Sequence, residues 1–570
     1  MANTEVDKGI LDGGMHAPIV HGDFRLYEVS IESPSTPGTS LQLIDESVFQ
    51  ELNIFEDLFS NVLKGTFTFL DTQGWAEMIP LIGDETLVVS YSTPGGGGTQ
   101  VNAQSQDPDS QVASEEITKQ RFKVYDCVEV GTGERTKIYQ LSLVSEEYMF
   151  SKKMKVSRGY KGKSYSYMTK DIMKKLNKES ENLNKKVYVE ETLSQQNVIV
   201  PNWTPFQAIN FFASRSLSAD IEPVVQGGAN NPPPTARPIG SLFVFYEKFG
   251  TGFFYESIES MILKQKVRGD LPLYQYRPKV AEDTSLNPML QYFSVDKFEI
   301  TGSFKTLENL GHGMFGSRLI AYDPIRMKYE DVKYDYYEKP PFPMDDANET
   351  HDQDTGTTTT TPSVEQADDS RRVFSDFIST DISAIDSKPI KLISGNSDYV
   401  GSNNASIKLA TTTHAHDAMF VAPPKPQTPD DPTRYSTIGV RSTSFQDQEA
   451  KQNNVEEWLL QRQAQVSEFG NIIVSFTVQG NTSRHVGDLI RFEVPSHIPE
   501  DSSEIGSVQI GHQLYSGYYL ISKIRHIIRK EKFEMDLELI KNSFAKRLIG
   551  QMPSISPEGL PAPLPTNSPG

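Results

Sequence analysis

The chain has 570 residues, 37% of them hydrophobic, which is enough for roughly three or four domains with substantial cores. Its formal net charge of −20 argues against a nucleic-acid reader, because such a protein needs excess Lys and Arg to replace phosphate counterions. The single cysteine, Cys127, excludes an internal disulfide and a cysteine-based zinc site.

The N-terminal residues 1–22 are polar and are predicted to form an arm. They have neither the basic segment nor the apolar segment of a signal peptide, so no secretion signal is expected. The sequence has no run of about 18 apolar residues, so no membrane anchor is expected either. The sequence therefore predicts synthesis and assembly in a cytoplasm.

A first β-rich region is predicted over residues 23–145. Apolar and polar residues alternate in its strand-like runs, which is typical of half-buried strands. The run 122–130 is one of these, and Cys127 within it is predicted to be a buried small hydrophobe. The stretch 94–118 is too polar to fold alone and is predicted to be a long inserted loop. The stretch 52–91 holds strands and turns without a group of polar residues that could form a site, so it indicates a scaffold and not a catalytic pocket.

Residues 146–288 have a different pattern and predict an α+β domain. A helix is expected over 167–177, where apolar residues recur at helical spacing. A second helix is expected to begin at Thr204, because threonine caps helix N-termini and the proline that follows suits a first turn. A β-hairpin with a glycine-containing turn is predicted over 242–257.

A second β-rich region is predicted in two parts, 289–345 and 432–548. The second part is expected to begin with a helix over 446–466, followed by alternating strands. Between the two parts, 346–431 holds a run of threonines and many carboxylates, and is predicted to be an inserted, partly flexible segment. The end, 549–570, is predicted to be a proline-rich tail.

Three short motifs suggest chemistry, but their surroundings argue against it. Residues 311–316 match G-x-G-x-x-G, yet a strand and not a helix follows, so a glycine turn is predicted. Residues 158–164 are similar to a phosphate loop with the wrong glycine spacing, and an exposed basic turn is predicted. His414, His416 and Asp417 lie in a polar tract, where solvated histidines are favoured over a metal site. No catalytic residue, cofactor or metal is therefore expected.

The charge distribution has one strong asymmetry. Residues 152–186 contain twelve basic and three acidic side chains in a chain that is acidic overall. The basic stretch is either a solvated face or a docking surface for an acidic neighbouring subunit. DNA binding is a weaker alternative, because few aromatic residues interleave with the lysines. The candidate docking residues are Lys152, Lys153, Lys155, Arg158, Lys161, Lys163, Lys174, Lys175 and Lys178.

Three stretches carry a resemblance to a known family. They are 54–89, with the break Pro80-Leu81-Ile82-Gly83; 144–162, followed by Val200-Pro201-Asn202-Trp203-Thr204-Pro205-Phe206; and 481–488 with 516–521 and 537–543, beginning Asn481-Thr482-Ser483-Arg484-His485-Val486-Gly487-Asp488. In these stretches the chain resembles the baseplate central hub proteins of T-even-type contractile phage tails, which are related to the hub part of type VI secretion spikes. The resemblance covers about 24–345 and 435–548. The loop 94–118, the segment 346–431 and the tail depart from it.

The resemblance implies an α+β, mainly β fold, with two tail-tube-like β-barrel domains and an inserted α+β domain. A homotrimer would then form a pseudo-sixfold ring that matches a hexameric tail tube. The implied function is structural: to adapt the tube to a trimeric central spike in the virion baseplate, and to form part of the conduit for DNA ejection. The implied partners are the tail tube protein, a separate central spike protein, neighbouring baseplate subunits and a tape-measure protein, while DNA passes without specific binding.

Two other functions remain as alternatives. One is a tail-associated cell-wall hydrolase, which needs paired carboxylates or a nucleophile site that the sequence does not display. The other is a tail-fibre or receptor-binding protein, and proteins of that kind usually have repeats and long fibrous β stretches. Both are less favoured than a structural hub without enzymatic activity.

The wall of a DNA conduit is expected to be acidic or neutral, because lysines and arginines in it would bind phosphate. The basic stretch is therefore predicted to lie outside the ring, away from the lumen. The strand at 471–479 is predicted to turn one face to the core and the other to the lumen or a neighbouring barrel. The core residues are Ile472, Val474, Phe476 and Val478, and the outward residues are Ser475, Thr477 and Gln479, with Ile473 on the outward side.

Overall fold

The structure is a computed structural model, and it describes most of the chain between residues 24 and 542. The described residues are 24–34, 40–44, 48–78, 81, 83–93, 118–133, 136–179, 185–193, 196–219, 240–268, 271–277, 293–303, 305–323, 328–336, 349–351, 358–360, 417–421, 455–495, 512, 514–530 and 532–542. The predicted arm, the proline-rich tail, His414, His416 and nearly all of the loop 94–118 lie outside these ranges.

The first β-rich region consists of seven strands and one short helix among the described residues. Buried side chains alternate with more accessible ones most regularly in β4, where every second residue is buried, whereas every residue of β5 is buried. The elements are β1 (Arg25–Glu32), β2 (Ser40–Gln42), β3 (Phe49–Asp57), β4 (Lys64–Asp71), α1 (Trp75–Met78), β5 (Thr86–Ser92), β6 (Thr118–Thr132) and β7 (Lys137–Ser145).

The region that follows mixes helices and strands, as the sequence predicts. Thr204 begins one helix with a capping box: its hydroxyl accepts from the Gln207 amide, and the Gln207 side chain accepts from the Thr204 amide. The elements are α2 (Glu146–Lys153), β8 (Val156–Lys163), α3 (Tyr165–Glu179), β9 (Lys186–Val189), β10 (Gln196–Trp203), α4 (Pro205–Ala213), β11 (Phe243–Lys248), β12 (Gly252–Ser257) and α5 (Ile258–Arg268).

The rest of the described chain is again mainly β. The segment predicted as an insertion contributes three short strands, β18 to β20, and β20 pairs in parallel with β16. The elements are β13 (Leu273–Tyr276), β14 (Ser294–Val295), β15 (Phe298–Ser303), α6 (Thr306–Gly311), β16 (Gly316–Asp323), β17 (Lys328–Asp335), β18 (Glu349–His351), β19 (Thr358–Thr360), β20 (Asp417–Val421), α7 (Val455–Glu468), β21 (Ile472–Gln479), β22 (Leu489–Glu493), β23 (Gly517–Arg529) and β24 (Phe533–Lys541).

One 14-stranded sheet passes through both β-rich regions. Its two halves join where β23 pairs antiparallel with β3, in a register that sets His526 opposite Ile54. The strand order along the sheet is β14-β13-β22-β23-β3-β4-β7-β6-β5-β1-β2. A branch leaves this path at β23, which also pairs with β24; β24 pairs with β21, and β21 pairs with β15. The prediction of an α+β, mainly β chain is confirmed, and the two β-rich regions share one continuous sheet.

Two hydrophobic clusters form the core. The larger one lies under the large sheet and includes residues of both β-rich regions. The smaller one lies mainly in the α+β region and also includes Val62 and Val144. The core face of β21 is the one the sequence predicts: Ile472, Val474, Phe476 and Val478 are buried, while Thr477 is exposed. Gln479 is buried, which corrects the prediction that it faces outward. It is the last residue of β21, where the chain leaves the sheet.

Two local predictions are wrong. Residues 158–164 were expected to form a turn, but β8 spans most of them, because pairing with β10 overrides the turn preference of their glycines. Cys127 is half-buried instead of buried, because β6 extends beyond its partner β5 at this point and only β7 pairs with it there. Residues 311–316 do form a glycine turn, between α6 and β16. The predicted helix at 446–466 is described from Val455 onward.

Candidate functional site: a charge-paired sheet face and a basic surface

The side of the large sheet that faces away from the core is mainly polar where β21, β24, β23 and β3 lie together, and Phe55 and Ile527 are apolar residues on the same side. Because side chains alternate along each strand, every second residue of these strands lies on this side. The registers place Ser475 opposite Glu538, Thr477 opposite Asp536, and Arg529 opposite Glu51. We call this surface the charge-paired face, and its residues are Glu51, Asn53, Ser475, Thr477, Lys523, Arg525, Arg529, Glu534, Asp536 and Glu538.

Each basic side chain of β23 on the charge-paired face has a carboxylate partner. Lys523 lies 2.9 Å from Glu538, and Arg529 lies 3.0 Å from Glu51. Arg525 lies 3.7 Å from Asp536. Pairs this exposed contribute little to stability. Their effect is instead to leave no basic group of this strand unpaired on the surface.

The carboxylate of Glu51 is ionised by this arrangement. Burial alone would raise the pKa of Glu51, but the hydrogen bonds from Asn53 and Arg529 outweigh it and lower the pKa. The same contact with Glu51 raises the pKa of Arg529. Three basic groups therefore stand among four carboxylates on the charge-paired face, and the surface is close to neutral.

Behind this face, on the core side of β3, lies a fully buried carboxylate. Glu56 accepts hydrogen bonds from the amides of Phe249 and Val486, both at 3.2 Å. The same carboxylate contacts His485 Nδ1 at 3.3 Å and His526 Nε2 at 3.2 Å. Burial opposes ionisation, yet the two histidines and their hydrogen bonds hold the pKa of Glu56 well below its usual range. Glu56 thus connects the two halves of the sheet with the β11–β12 hairpin.

A second buried cluster links the α+β region to the first half of the sheet. Lys185 lies 2.5 Å from Glu247 and 2.9 Å from Glu147, and both carboxylates are fully buried. Glu247 also accepts hydrogen bonds from the Ser145 hydroxyl and the Leu63 amide. Burial raises the pKa of Glu147 to about 7, although the nearby Lys185 opposes the shift.

A third buried carboxyl, Glu468, ends α7. The Tyr336 hydroxyl donates a hydrogen bond to it at 2.5 Å. Burial raises the pKa of Glu468 to about 8, although the bonds from Tyr336 and Asn542 oppose the shift. The carboxyl is therefore mainly protonated at neutral pH.

This raised pKa gives a testable pH dependence. The pKa of Glu468 is higher in the folded than in the unfolded state, so the carboxyl stabilises the folded protein fully at a pH below the unfolded value of 4.5. This stabilisation is lost as the pH rises through the folded value of about 8. Between pH 5 and pH 8, we expect the wild type to lose at least about 1 kcal/mol more unfolding free energy than Glu468→Gln. Denaturant unfolding at both pH values measures the unfolding free energy of each protein. Equal losses of unfolding free energy in the wild type and in Glu468→Gln would contradict the prediction.

The basic stretch forms a surface on the α+β region, which we call the basic surface. Its exposed members lie on three neighbouring elements: Lys152 and Lys153 on α2, Lys161 and Lys163 on β8, and Lys174 on α3. Lys155 and Arg158 are also exposed, Lys175 is half-buried, and Lys178 lies on α3 with its side chain outside the description. The elements that carry these residues contact one another: α3 packs against both α2 and β8. Lys185, by contrast, belongs to the buried cluster.

Several cations of the basic surface lie over aromatic rings of their own chain. Lys152 lies 5.0 Å from the Tyr148 ring centroid, and Lys163 lies 4.6 Å from that of Tyr167. Arg158 is paired with Asp171 at 2.6 Å. Among the described residues, no carboxylate pairs with Lys152, Lys161 or Lys174. The basic surface thus keeps unpaired cations, unlike the charge-paired face.

Sequence reasoning missed the buried carboxylates. The burial of Glu56 could have been predicted, because Leu52, Ile54 and Glu56 are every second residue of β3 and therefore lie on the same, core-facing side. No comparable signal connects Lys185 with its two carboxylates. Among the described residues, no group of histidines, cysteines and carboxylates fits a metal ion, and no helix is long and apolar enough to cross a membrane.

Neither a family model nor a curated protein sequence matches the chain. Among solved structures, the chain is similar to the tail protein from Neisseria meningitidis MC58, with 10% identity, a TM-score of 0.40, and coverage of 90% of this chain and 96% of that one. It is also similar to the 43 kDa tail protein of prophage MuSo2 from Shewanella oneidensis, with 9% identity, a TM-score of 0.38, and coverage of 90% and 98%.

A third similar structure is the E. coli c3393 protein, described as a component of the type VI secretion system with structural similarity to the T4 tail proteins gp27 and gp5. The identity is 6%, the TM-score is 0.32, and the match covers 92% of this chain and 78% of that one. The first two matched proteins are described as tail proteins, one of them from a prophage, and the third as a component of the type VI secretion system. TM-scores this low give no residue-by-residue correspondence.

Proposed function

We propose that the chain is the structural hub of a contractile phage tail baseplate, located in the virion. In this role it adapts the hexameric tail tube to a trimeric central spike and forms part of the conduit for DNA ejection. The observation that carries the proposal is the charge-paired face, which crosses from one half of the large sheet to the other. A surface of this kind suits a wall that DNA passes without binding, because its cations are already paired.

The proposed arrangement is a homotrimer. Residues 23–145 would form the first tube-like domain, 289–345 with 432–548 the second, and 146–288 the α+β domain. Three copies then present six sheet units around the axis, which matches the sixfold symmetry of a tail tube. Because β23 pairs with β3, the two units of one copy share their sheet, and the charge-paired face is the side we assign to the bore.

The proposed partners follow from this arrangement. The tail tube protein would stack on one side of the ring and the central spike protein on the other, with a tape-measure protein within reach of the bore. The basic surface would lie outside the ring and contact an acidic neighbouring baseplate subunit, because lysines that faced the conduit would hold DNA.

Light scattering coupled to size exclusion tests the oligomeric state. The proposal expects a trimer of the purified chain, either alone or after addition of its spike protein. A stable monomer in both conditions would contradict the hub function. The spike protein is part of the test because a closed ring can need it for assembly.

Charge reversal tests the docking role of the basic surface. We expect Lys152→Glu, Lys161→Glu and Lys174→Glu together to reduce the yield of assembled tails at least about tenfold, because unpaired cations steer and hold an acidic partner. Trimers of the purified variant should be unchanged. Complementation of a tail-assembly defect, followed by particle counting, measures the yield.

The matched control reverses three exposed lysines outside the basic surface: Lys297, Lys305 and Lys530. It changes the net charge equally and should leave the yield unchanged. Equal yields of assembled tails from both triple variants would show that the basic surface is a solvated face without a docking role.

A further inference from the structure

A small ribbon stands apart from the large sheet. β8 and β10 pair antiparallel and form a two-stranded sheet of their own. Val156, Tyr160 and Val200 on its inner side belong to the smaller core cluster. The outer side faces solvent, and β8 supplies part of the basic surface, so this side of the ribbon is available to a partner.

An isolated apolar side chain projects from the outer side. Ile199 is 79% exposed. Its partner in the register is Gly159, and a Cβ atom built there would meet no atom within 4 Å. Gly159 therefore leaves empty space beside Ile199, where a cross-strand side chain would otherwise cover it.

Lysines follow Gly159 on the same strand. Lys161 is exposed and, among the described residues, has no ion pair, whereas Lys163 lies over the Tyr167 ring. On the charge-paired face, by contrast, Lys523 and both arginines have carboxylate partners. The chain thus pairs its cations on one surface and leaves them unpaired around a projecting apolar group on the other.

The backbone of β10 is strained next to this group. Asn202 has a φ of 56°. Among the described residues, every other residue with a positive φ is a glycine. The pairing with β8 shifts register between Val200 and Trp203, which bends the ribbon at this point. Such strain is destabilising by itself and is concentrated at binding sites and other functional sites.

We propose that the outer side of the ribbon docks an acidic protein surface that contains an apolar recess. Ile199 fills the recess, and Lys161 and Lys163 pair with the carboxylates at its rim. The inference rests on the proposed docking role of the basic surface and adds the chemistry of the partner. A protein fits better than a nucleic acid, because Tyr160 is buried in the smaller core cluster and Lys163 already lies over the ring of Tyr167, so little aromatic surface is left for bases to stack on.

Two labelled probe peptides and one single-stranded oligonucleotide test the proposal by fluorescence anisotropy on the full chain. Both peptides are rich in Asp and Glu; one has a central Leu-Leu pair and the other has Ser-Ser in its place. The leucine peptide should bind about tenfold more tightly than the serine peptide, because it buries Ile199. Ile199→Ser should remove this preference, and Lys161→Gln should weaken both peptides. The control Leu307→Ser, an 86% exposed residue on α6, should retain the preference.

The outcomes separate this inference from the docking role itself. If the wild type binds both acidic peptides equally and Ile199→Ser changes nothing, the apolar recess is overturned while the acidic docking role stands. If neither peptide binds, or if the oligonucleotide binds more tightly than both, the docking role of the basic surface fails as well.

Discussion

Replacing Glu56 by alanine is expected to destabilise the protein by about 3–5 kcal/mol. The variant leaves the buried amides of Phe249 and Val486 without an acceptor, and two histidines lose their shared carboxylate. The contribution of a carboxylate with a lowered pKa is present above the unfolded value of 4.5 and is lost as the pH falls below it. The difference between wild type and variant should therefore shrink in acid.

Thermal and denaturant unfolding at pH 7 and pH 3 measure this difference. The matched control is Glu51→Ala on the same strand, which removes exposed ion pairs and should cost at most about 1 kcal/mol. Hydrogen exchange should also rise in both β3 and β23, since Glu56 holds the two halves together. A Glu56→Ala variant as stable as the Glu51→Ala variant would contradict the assigned role.

Replacing Lys185 by methionine is expected to destabilise by a similar amount, about 3–5 kcal/mol. The substitution keeps the length of the side chain and removes the cation between two fully buried carboxylates, Glu147 and Glu247. The pKa of Glu147 is already raised to about 7, and loss of Lys185 would raise it further. Protonation relieves the repulsion, so the destabilisation should be larger at pH 8 than at pH 5.

Unfolding of the Lys185→Met variant at these two pH values tests the sign. Lys170→Met is the control, because Lys170 pairs with Glu191 in an exposed position and should contribute less than about 1 kcal/mol at either pH. A destabilisation of Lys185→Met that does not change with pH would show that Glu147 stays ionised without its cation.

The sequence predicts those elements whose causes are local. The helix after Thr204 begins with a capping box, and the β11–β12 hairpin forms around a glycine-containing turn. The alternation in β21 identifies its core face, because every second side chain of a half-buried strand is apolar. The basic stretch is equally visible, since charge is read directly from composition.

The remaining features depend on contacts between distant residues. Pairing of β23 with β3 joins residues more than about 450 positions apart, and no local pattern specifies which strands become neighbours. The charge-paired face and the Glu56 contacts both follow from that pairing, so neither can be predicted from local sequence patterns. The strand β8 is not predictable for the same reason: Gly159 and Gly162 favour a turn locally, and pairing with β10 makes this segment a strand.

Electron microscopy of the purified oligomer tests the proposed function most directly. We predict a ring with threefold symmetry and a central bore, with the charge-paired face lining the bore and the basic surface on the outside. Density at side-chain resolution would then place Ser475, Thr477 and Arg525 at the wall. A particle without a bore, or a bore lined by unpaired lysines and arginines, would contradict the conduit.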